Sequence, residues 1–235
     1  MNIALIIAGG SGRRMKQEIP KQFLNVNDKP VIIYTLEAFQ CHPDIDEIGV
    51  VCIDGWQDIL SAYARQYKIE KLSWIVSGGI NGQASIRNGV MEAEKRYSGD
   101  DILLVHDAIR PLVSQDVISD CIVQCRRHGS AIACLPCNTA VLHIDGEEVS
   151  ESIVPREELA MTQTPQALPV SKFVSIHKEA LSRGIDSSVA TCTLMIELGE
   201  KVHFSMGSET NLKLTTPEDM LIFKALLNIQ RGNGF

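Results

Sequence analysis

The sequence lacks an excess of basic residues. Its 235 residues include 22 Lys and Arg against 29 Asp and Glu, which gives a formal net charge of −7 at pH 7. No general positive field would therefore attract a nucleic-acid backbone or an anionic membrane. We expect neither as a partner, and any functional cations must be local.

The sequence also lacks a membrane-length apolar run and a basic, cleavable leader pattern. The apolar stretch in "MNIALIIAGG" is too short to span a bilayer and predicts a strand. The seven cysteines fit a reduced compartment better than a disulfide framework, so we expect a cytoplasmic protein. The Cys134-x-x-Cys137 pair ends an apolar run without a helical pattern after it, which favours structural cysteines over a redox pair.

Internal repeats and low-complexity linkers are missing as well, and the length suits one large domain. Short apolar runs such as "NIALIIA", "IDEIGVVCI" and "DILLVHDA" alternate with stretches of helical period such as "QDVISDCIVQCRRH". This alternation is typical of an α/β fold with a parallel sheet and right-handed crossovers. Such sheets bind ligands at the carboxyl ends of their strands.

The alternation is interrupted between about Thr139 and Gln166. Apolar and polar residues alternate there, and Asp145 with Gly146 is a hairpin turn signal. An isolated two-stranded ribbon is only marginally stable, so it should pack on another surface, of which a second copy of the chain is the first candidate. We predict a single domain over 1–235 with a β-arm at about 139–166 used in dimerisation.

The first glycine-rich segment, "AGGSGRRM", does not fit two common nucleotide motifs. A dinucleotide-binding G-x-G-x-x-G would have glycine or alanine where Met15 stands. A P-loop requires Lys followed by Ser or Thr directly after its last glycine, whereas Gly12 is followed by Arg13. Neither of these sites is therefore predicted.

A different phosphate-binding turn remains. Gly9, Gly10 and Gly12 would let the backbone approach a polyphosphate, while Arg14 and Lys21 neutralise it from the side. The alternative is an ordinary turn beside a solvated basic surface.

Two further segments end predicted strands and should converge on the same sheet edge. "VHDAIRP" places His106, Asp107 and Arg110 after an apolar strand, where a carboxylate can hold Mg²⁺ or a sugar hydroxyl. The alternative is a turn capped by Asp. "NLKLTTPED" predicts a short strand that carries Lys213 and leads into a helix that Thr216 can cap.

Six segments of the chain resemble a known set in order and spacing, and together they extend over nearly the whole chain. They are "AGGSGRRM", "PKQFL", "GGINGQASIRNG", "VHDAIRP", "QTPQAL" and "NLKLTTPED". The set is that of the cytidylyltransferase family that contains 2-C-methyl-D-erythritol 4-phosphate cytidylyltransferase and its relatives acting on D-ribitol 5-phosphate. The resemblance implies a Rossmann-like nucleotidyltransferase fold, with a mostly parallel sheet flanked by helices. It also implies CTP as donor, Mg²⁺ or another divalent cation, and a homodimer whose arm completes the neighbour's acceptor site.

The resemblance further implies roles for individual residues. The catalytic cations would be Arg14, Lys21 and Lys213. The CTP-binding residues would be Ala8, Gly9, Gly10, Gly12, Gly79, Ser85, Asp107, Ala108 and Arg110. The acceptor would be bound by Asp107, Thr139, Arg156 and Thr164, with Asp107 as the candidate metal ligand unless the CTP phosphates hold the metal alone.

Departures from the methylerythritol pattern bear on the acceptor. Gly82 stands where those enzymes usually carry arginine, and "SSVATCT" replaces a Thr-Asp-Asp-like run. "PREELAMTQTPQ" also lacks a Leu-Trp pair after its arginine. The segments "GQASI" and "CTLM" resemble those of polyol enzymes of capsule or teichoic-acid pathways more closely, so we expect D-ribitol 5-phosphate as acceptor. Methylerythritol phosphate, used in isoprenoid precursor synthesis, is the alternative, and acceptor contacts within 186–193 stay open.

Two other classes are consistent with parts of the sequence. A sugar-1-phosphate nucleotidyltransferase using another NTP would share the first loop but would not be expected to carry "QTPQ" with the arm arginine. A non-catalytic nucleotide-binding regulator would not need cations placed for a transition state.

Overall fold

The computed structural model describes residues 1–10, 19–146 and 148–232. The strands are β1 Asn2–Ala8, β2 Asn25–Val26, β3 Lys29–Pro30, β4 Glu47–Cys52, β5 Leu72–Ser77, β6 Ile102–Asp107, β7 Ala131–Pro136, β8 Val141–Leu142, β9 Ile153–Val154, β10 Ala160–Pro169 and β11 Phe204–Met206. The α-helices are α1 Val31–Gln40, α2 Gln57–Gln66, α3 Gly82–Arg96, α4 Gln115–His128, α5 Val170–Ser182, α6 Thr191–Glu197 and α7 Pro217–Gly232.

A seven-stranded sheet in the order β11-β7-β10-β6-β1-β4-β5 forms the centre. β1 pairs in parallel with β4 and β6, β4 with β5, and β7 with β11, which confirms the mostly parallel α/β prediction. β10 is the exception, because it runs antiparallel to both β6 and β7. The described residues of its connection from β7 contain no α-helix, and a parallel neighbour usually needs a crossover helix.

Helices cover both faces of the sheet. β1 is buried along almost its whole length, as a parallel central strand requires. Its side chains alternate between two apolar clusters: Ala4 and Ile6 lie in a cluster with α1, α2 and α4, while Ile3 and Leu5 lie in one with α3, α5 and α6. A third cluster joins α7 to α1, so the segment that carries Lys213 is anchored to the body of the domain.

The β-arm is shorter than the predicted range of 139–166. Among the described residues of that range, only β8 and β9 form the separate ribbon, with Val141 opposite Val154. The last part of the range is β10, a strand of the main sheet, so the predicted arm was too long there. The same apolar–polar alternation is produced by a free ribbon and by an antiparallel sheet strand, so the local pattern does not separate them.

All seven cysteines lie within the described residues, and none forms a disulfide. Cys134 lies on β7 and Cys137 directly after it, and burial raises the pKa of the Cys134 thiol. Within the described part of the chain, no helix is both long enough and apolar enough to cross a bilayer.

Candidate active site

A cleft of about 650 Å³ opens at the carboxyl ends of β1 and β6. β1 lies between β6 on one side and β4 on the other, so the cleft sits where the strand order reverses, which is the ligand site of open α/β sheets. The cleft brings together most of the predicted site residues: Ala8, Gly9, Gly10, Lys21, Gly79, Ser85, Asp107, Ala108 and Lys213. Gly12 and Arg14 lie outside the described residues.

Gln22 ties the first loop to the residue that carries the predicted cation. Its buried side-chain amide donates to the backbone oxygens of Ala8 at 2.7 Å and Gly10 at 3.0 Å. Lys21 and Gln22 belong to one short 3-10 helix, Lys21–Phe23. The loop and Lys21 are therefore held in a fixed relation to each other.

Two glycine-rich loops meet closely at the cleft. A Cβ placed on Gly9 would lie 2.9 Å from the Ser85 hydroxyl, and one on Gly79 would lie 2.5 Å from the Cβ of Ala84. A larger residue at Gly9 would push the two loops apart, and one at Gly79 would clash within the second loop. Close packing of the backbone therefore requires glycine at both positions.

The second loop leads into the N-terminus of α3. The Asn81 side chain caps this helix by accepting from the backbone N–H of Ala84 at 2.8 Å. The Ser85 hydroxyl accepts from the Gly79 N–H at 3.0 Å and donates to the Asn81 oxygen at 2.8 Å. A capped helix N-terminus with ordered N–H groups favours negative charge in the cleft.

The acidic centre of the cleft is Asp107. Its Oδ2 lies 3.0 Å from the Lys213 ammonium and 3.2 Å from the Arg110 Nε. Burial alone would raise the pKa of Asp107, but the charges of Lys213 and Arg110 outweigh it and hold that pKa below its usual value. Asp107 is therefore a carboxylate across the neutral pH range.

Arg110 contacts both Asp107 and the loop that carries Lys213. Its guanidinium is about nine-tenths buried and donates to the backbone oxygen of Asn211 at 2.7 Å as well as to Asp107. The residues that line the cleft on this segment are Asp107, Ala108 and Ile109. Arg110 therefore links Asp107 to the Asn211–Lys213 loop.

Thr164 lies beside Asp107. Its hydroxyl oxygen accepts from the Asp107 N–H at 3.1 Å and lies 3.1 Å from the Nδ1 of His106. The backbone oxygen of Thr164 accepts from the Asn211 side chain at 2.8 Å. The predicted site segments "VHDAIRP", "QTPQ" and "NLKL" are thus joined by hydrogen bonds.

Thr139 and Arg156 do not line the cleft of their own chain. Both belong to the arm region, and Arg156 reaches the backbone oxygen of Asn138 at 3.5 Å and the carboxylate of Glu157 at 3.3 Å. The Arg156 side chain is 55% exposed. Neither residue lines the cleft of its own chain.

Sequence reasoning gave no role to Gln22, Asn81 or Asn211. Gln22 stands within the motif "PKQFL", next to the predicted lysine, and Asn81 stands three residues before Ala84 at a helix start, which is a capping signal. Asn211 is fully buried in a loop, and only its contacts with distant segments show its role.

A glycine-rich loop and two lysines from distant segments line one cleft at the switch point of an α/β sheet, an arrangement typical of nucleotide-binding transferases. Residues 2–229 match the model of the 2-C-methyl-D-erythritol 4-phosphate cytidylyltransferase family. The chain belongs to this family and is a CTP-dependent nucleotidyltransferase, whose substrates are CTP and a sugar alcohol phosphate.

Individual relatives cover the whole domain. A ribitol-5-phosphate cytidylyltransferase of Lacticaseibacillus paracasei is 43% identical, over 97% of this chain and 98% of the relative. A 2-C-methyl-D-erythritol 4-phosphate cytidylyltransferase of Clostridium botulinum is 35% identical, over 96% and 97%. The crystal structure of 2-C-methyl-D-erythritol 4-phosphate cytidylyltransferase from Thermus thermophilus superposes with a TM-score of 0.77 at 27% identity, covering 97% of this chain and 100% of that one.

Proposed function

We propose that this protein transfers CMP from CTP to D-ribitol 5-phosphate and releases pyrophosphate and a CDP-polyol. The observation that carries the proposal is that Lys21, Lys213 and the ionised Asp107 line one cleft, in which the Lys213 ammonium lies 3.0 Å from the Asp107 carboxylate. The Gly9–Gly10 turn and the α3 N-terminus face the same space. The triphosphate lies along these two features.

The reaction requires positioning and charge more than a base. A phosphate oxygen of the acceptor forms the new bond to the α-phosphorus of CTP, and the bond from that phosphorus to the pyrophosphate oxygen breaks. The acceptor phosphate is already ionised at neutral pH. Lys21 and Lys213 stabilise the negative charge that builds on the α-phosphate and the leaving pyrophosphate, and Arg14 is expected to join them.

A divalent cation fits this site if the nucleotide supplies most of its ligands. The described residues contain no cluster of three or more His, Cys, Asp or Glu that would hold a metal alone. Mg²⁺ in such sites keeps waters and takes one or two carboxylates with substrate phosphates, and Asp107 offers one carboxylate. When bound, the cation neutralises phosphate charge.

The relatives and the open space at Gly82 both favour D-ribitol 5-phosphate as acceptor. The ribitol-5-phosphate enzyme is 43% identical and the methylerythritol enzyme 35%. Gly82, which replaces the arginine usual in methylerythritol enzymes, leaves open space at the cleft, because nothing lies within 4 Å of its Cβ position. Methylerythritol phosphate is the second candidate, since the fold and the nucleotide loops serve both acceptors.

The acceptor site is completed by a second copy of the chain. The arm exposes apolar side chains, with Ile144 at 86% and Ile153 at 74% of their surface, so a free arm is an unfavourable state in water. Thr139 and Arg156 stand on this arm, and Arg156 is suited to a bidentate contact with a phosphate. Within the homodimer they bind the acceptor phosphate in the partner's cleft. The cytoplasm is the proposed location, in keeping with the seven unpaired cysteines.

The substrate proposal is tested by pyrophosphate release. Each of four NTPs is combined with D-ribitol 5-phosphate or methylerythritol 4-phosphate, with Lys21→Ala as the impaired variant and Lys224→Ala on the exposed surface of α7 as the matched control. We expect release with CTP and D-ribitol 5-phosphate, and CDP-ribitol by mass spectrometry. Higher kcat/KM with methylerythritol phosphate would assign the second acceptor, and release with another NTP only would reject the CTP assignment.

The shared site is tested by subunit mixing. Dimers in which both subunits carry Arg156→Ala, or both carry Lys21→Ala, are expected to be inactive. If Arg156 acts across the interface, a mixed dimer has one site with both residues intact and one site that lacks both. Random mixing at equal amounts should therefore restore about a quarter of the wild-type turnover. Failure to restore activity after proven subunit exchange would place Arg156 in its own chain's site.

A further inference from the structure

The loop between β11 and Lys213 contains a tight turn that packs closely against the main sheet. The backbone oxygen of Ser208 accepts from the Asn211 N–H at 3.0 Å, which closes the turn over 208–211. Gly207, directly before this turn, has no room for a side chain, because a Cβ there would lie 2.6 Å from the backbone oxygen of Cys134. Lys213 follows the turn directly along the chain, so the position of the turn helps to set where Lys213 enters the cleft.

Gln163 binds this turn through its side-chain amide. It lies in the part of β10 where the pairing with β7 shifts register. Its Nε2 donates to the backbone oxygen of Ser208 at 2.9 Å, and its Oε1 accepts from the Ser208 N–H at 3.1 Å. The Asn211 side-chain amide donates to the same Oε1 at 3.2 Å. The Gln163 side chain therefore stands in for a peptide group of a neighbouring strand and joins the turn to β10.

Backbone groups fix the orientation of both amides. A backbone N–H only donates and a carbonyl oxygen only accepts, so Oε1 of Gln163 faces the Ser208 N–H and Nε2 faces the Ser208 oxygen. The Asn211 amide nitrogen then faces the Gln163 Oε1, which only accepts. Asn211 Oδ1 is buried without a hydrogen-bond partner among the described residues, and turning the amide round would only bring this oxygen against another acceptor. The network therefore has one arrangement.

The other side of Lys213 is anchored as well. The Leu214 N–H donates to the backbone oxygen of Ile109 at 2.9 Å, and the Leu214 side chain is buried in the apolar cluster with α7. The Lys213 side chain is 43% exposed, and its ammonium lies 3.0 Å from the Asp107 carboxylate. A long, partly exposed side chain has many rotamers, so an anchored backbone on both sides restricts where its ammonium can lie.

We propose that Gln163 is a positioning residue: its amide holds the 208–211 turn and thereby keeps the Lys213 ammonium in the cleft. Gln163 is not among the described residues that line the cleft, so it acts through the lysine and not by touching the substrate. The effect on turnover rests on the proposed function of Lys213. The hold on the turn does not.

Amide hydrogen exchange, followed by NMR in the intact protein, tests the hold on the turn without any assay of activity. Gln163→Met keeps the length of the side chain and removes its amide, so the Ser208 N–H should exchange about 10-fold faster or more. Gln40→Met is the matched control, because the Gln40 Oε1 accepts from the Lys71 N–H at 2.8 Å at the opposite end of the sheet. It should leave exchange at Ser208 unchanged. Unchanged exchange in Gln163→Met would overturn the proposal.

Kinetics show whether the turn acts through Lys213. Gln163→Met should lower kcat about 10-fold, because the ammonium is no longer held in place, with KM for CTP within about twofold. In a Lys213→Ala background the same substitution should lower kcat further by less than about twofold, because the cation that it positions is gone. Equal fold losses in the two backgrounds, or no loss in either, would contradict the proposal. Normal turnover of Lys213→Ala itself would reject the proposed function of the lysine and leave the exchange result standing.

Gln163→Glu provides the same comparison if Gln163→Met does not fold. Glutamate has nearly the shape of glutamine and keeps the oxygen that accepts from Ser208 and Asn211, but as a carboxylate it cannot donate to the Ser208 oxygen. Its kcat should fall by roughly 3-fold to 10-fold with Lys213 present and hardly at all in the Lys213→Ala background. A loss of the same size in both backgrounds would show that Gln163 does not act through the lysine.

Discussion

Replacing Gln22 by methionine should weaken CTP binding more than it slows turnover. The Gln22 amide makes two hydrogen bonds, to the backbone oxygens of Ala8 and Gly10, and the side chain is 2% exposed. Methionine has similar length and is apolar, so it keeps the packing and removes both donors. The first loop then loses its link to the 3-10 helix that carries Lys21.

The magnitude follows from the two lost bonds. Each contributes about 1 kcal/mol net, so the free energy of unfolding should fall by about 2 kcal/mol. For a chain of this length that corresponds to a Tm lower by roughly 4–8 °C. If the same energy holds the loop in its binding conformation, KM for CTP should rise by up to about 30-fold, while kcat at saturation changes little.

Thermal unfolding and steady-state kinetics at varied CTP measure both effects on one preparation. Gln115→Met is the control for the substitution itself, because Gln115 is exposed and makes one amide hydrogen bond, to the backbone oxygen of Ala38 far from the cleft. Its stability should fall by less than that of Gln22→Met, because water can replace an exposed hydrogen bond, and its KM for CTP should not change. A Gln22→Met protein that loses stability but keeps its KM for CTP would show that Gln22 supports the fold and not the nucleotide loop.

Three further substitutions test the role of Lys21, the close packing at Gly79 and the buried state of His177. Lys21→Ala should lower kcat on the order of 100-fold or more, because a preorganised cation is lost, and KM for CTP should be less affected. Near-normal turnover in the steady-state assay would reject Lys21 as a catalytic cation. Gly79→Ala should destabilise the fold by about 1–3 kcal/mol in urea denaturation, because its Cβ would lie 2.5 Å from that of Ala84. Gly146→Ala is the control and should not destabilise the fold, because nothing lies within 4 Å of its Cβ position. Equal effects of the two substitutions would contradict the close approach at Gly79. His177 is buried without a hydrogen-bond partner among the described residues, and burial lowers its pKa to about 4. Because the unfolded state takes up a proton below pH 6.5 and the folded state does not, the free energy of unfolding should fall by about 2 kcal/mol between pH 7 and pH 5. His177→Leu should remove that loss, and an unchanged pH dependence of its unfolding would refute the reasoning.

Local signals account for the elements that were predicted well. Helix α4 runs over Gln115–His128, the residues of the predicted helical pattern, because Ser114 caps its start and Gly129 ends it in a left-handed conformation at φ 77°. β10 was not separated from the arm, because its place between β6 and β7 depends on residues far away in the chain.

The same distinction applies to the site. The glycine loops, Asp107 and Lys213 could be predicted because the ends of parallel strands converge on one edge of a sheet. The link from Arg110 to the Asn211–Lys213 loop could not, because it is a hydrogen bond to a carbonyl 101 residues away. Residue type and spacing predict which groups come near each other, whereas long-range hydrogen bonds decide which atoms face the ligand.

A crystal structure of the protein with CTP and Mg²⁺ would show where the triphosphate binds. We expect it in the cleft between the Gly9–Gly10 turn and the N-terminus of α3, with the ammonium groups of Lys21 and Lys213 both within hydrogen-bond distance of oxygens on the α-phosphate. A nucleotide bound in this cleft with either ammonium directed away from the α-phosphate, or bound at another surface, would contradict it.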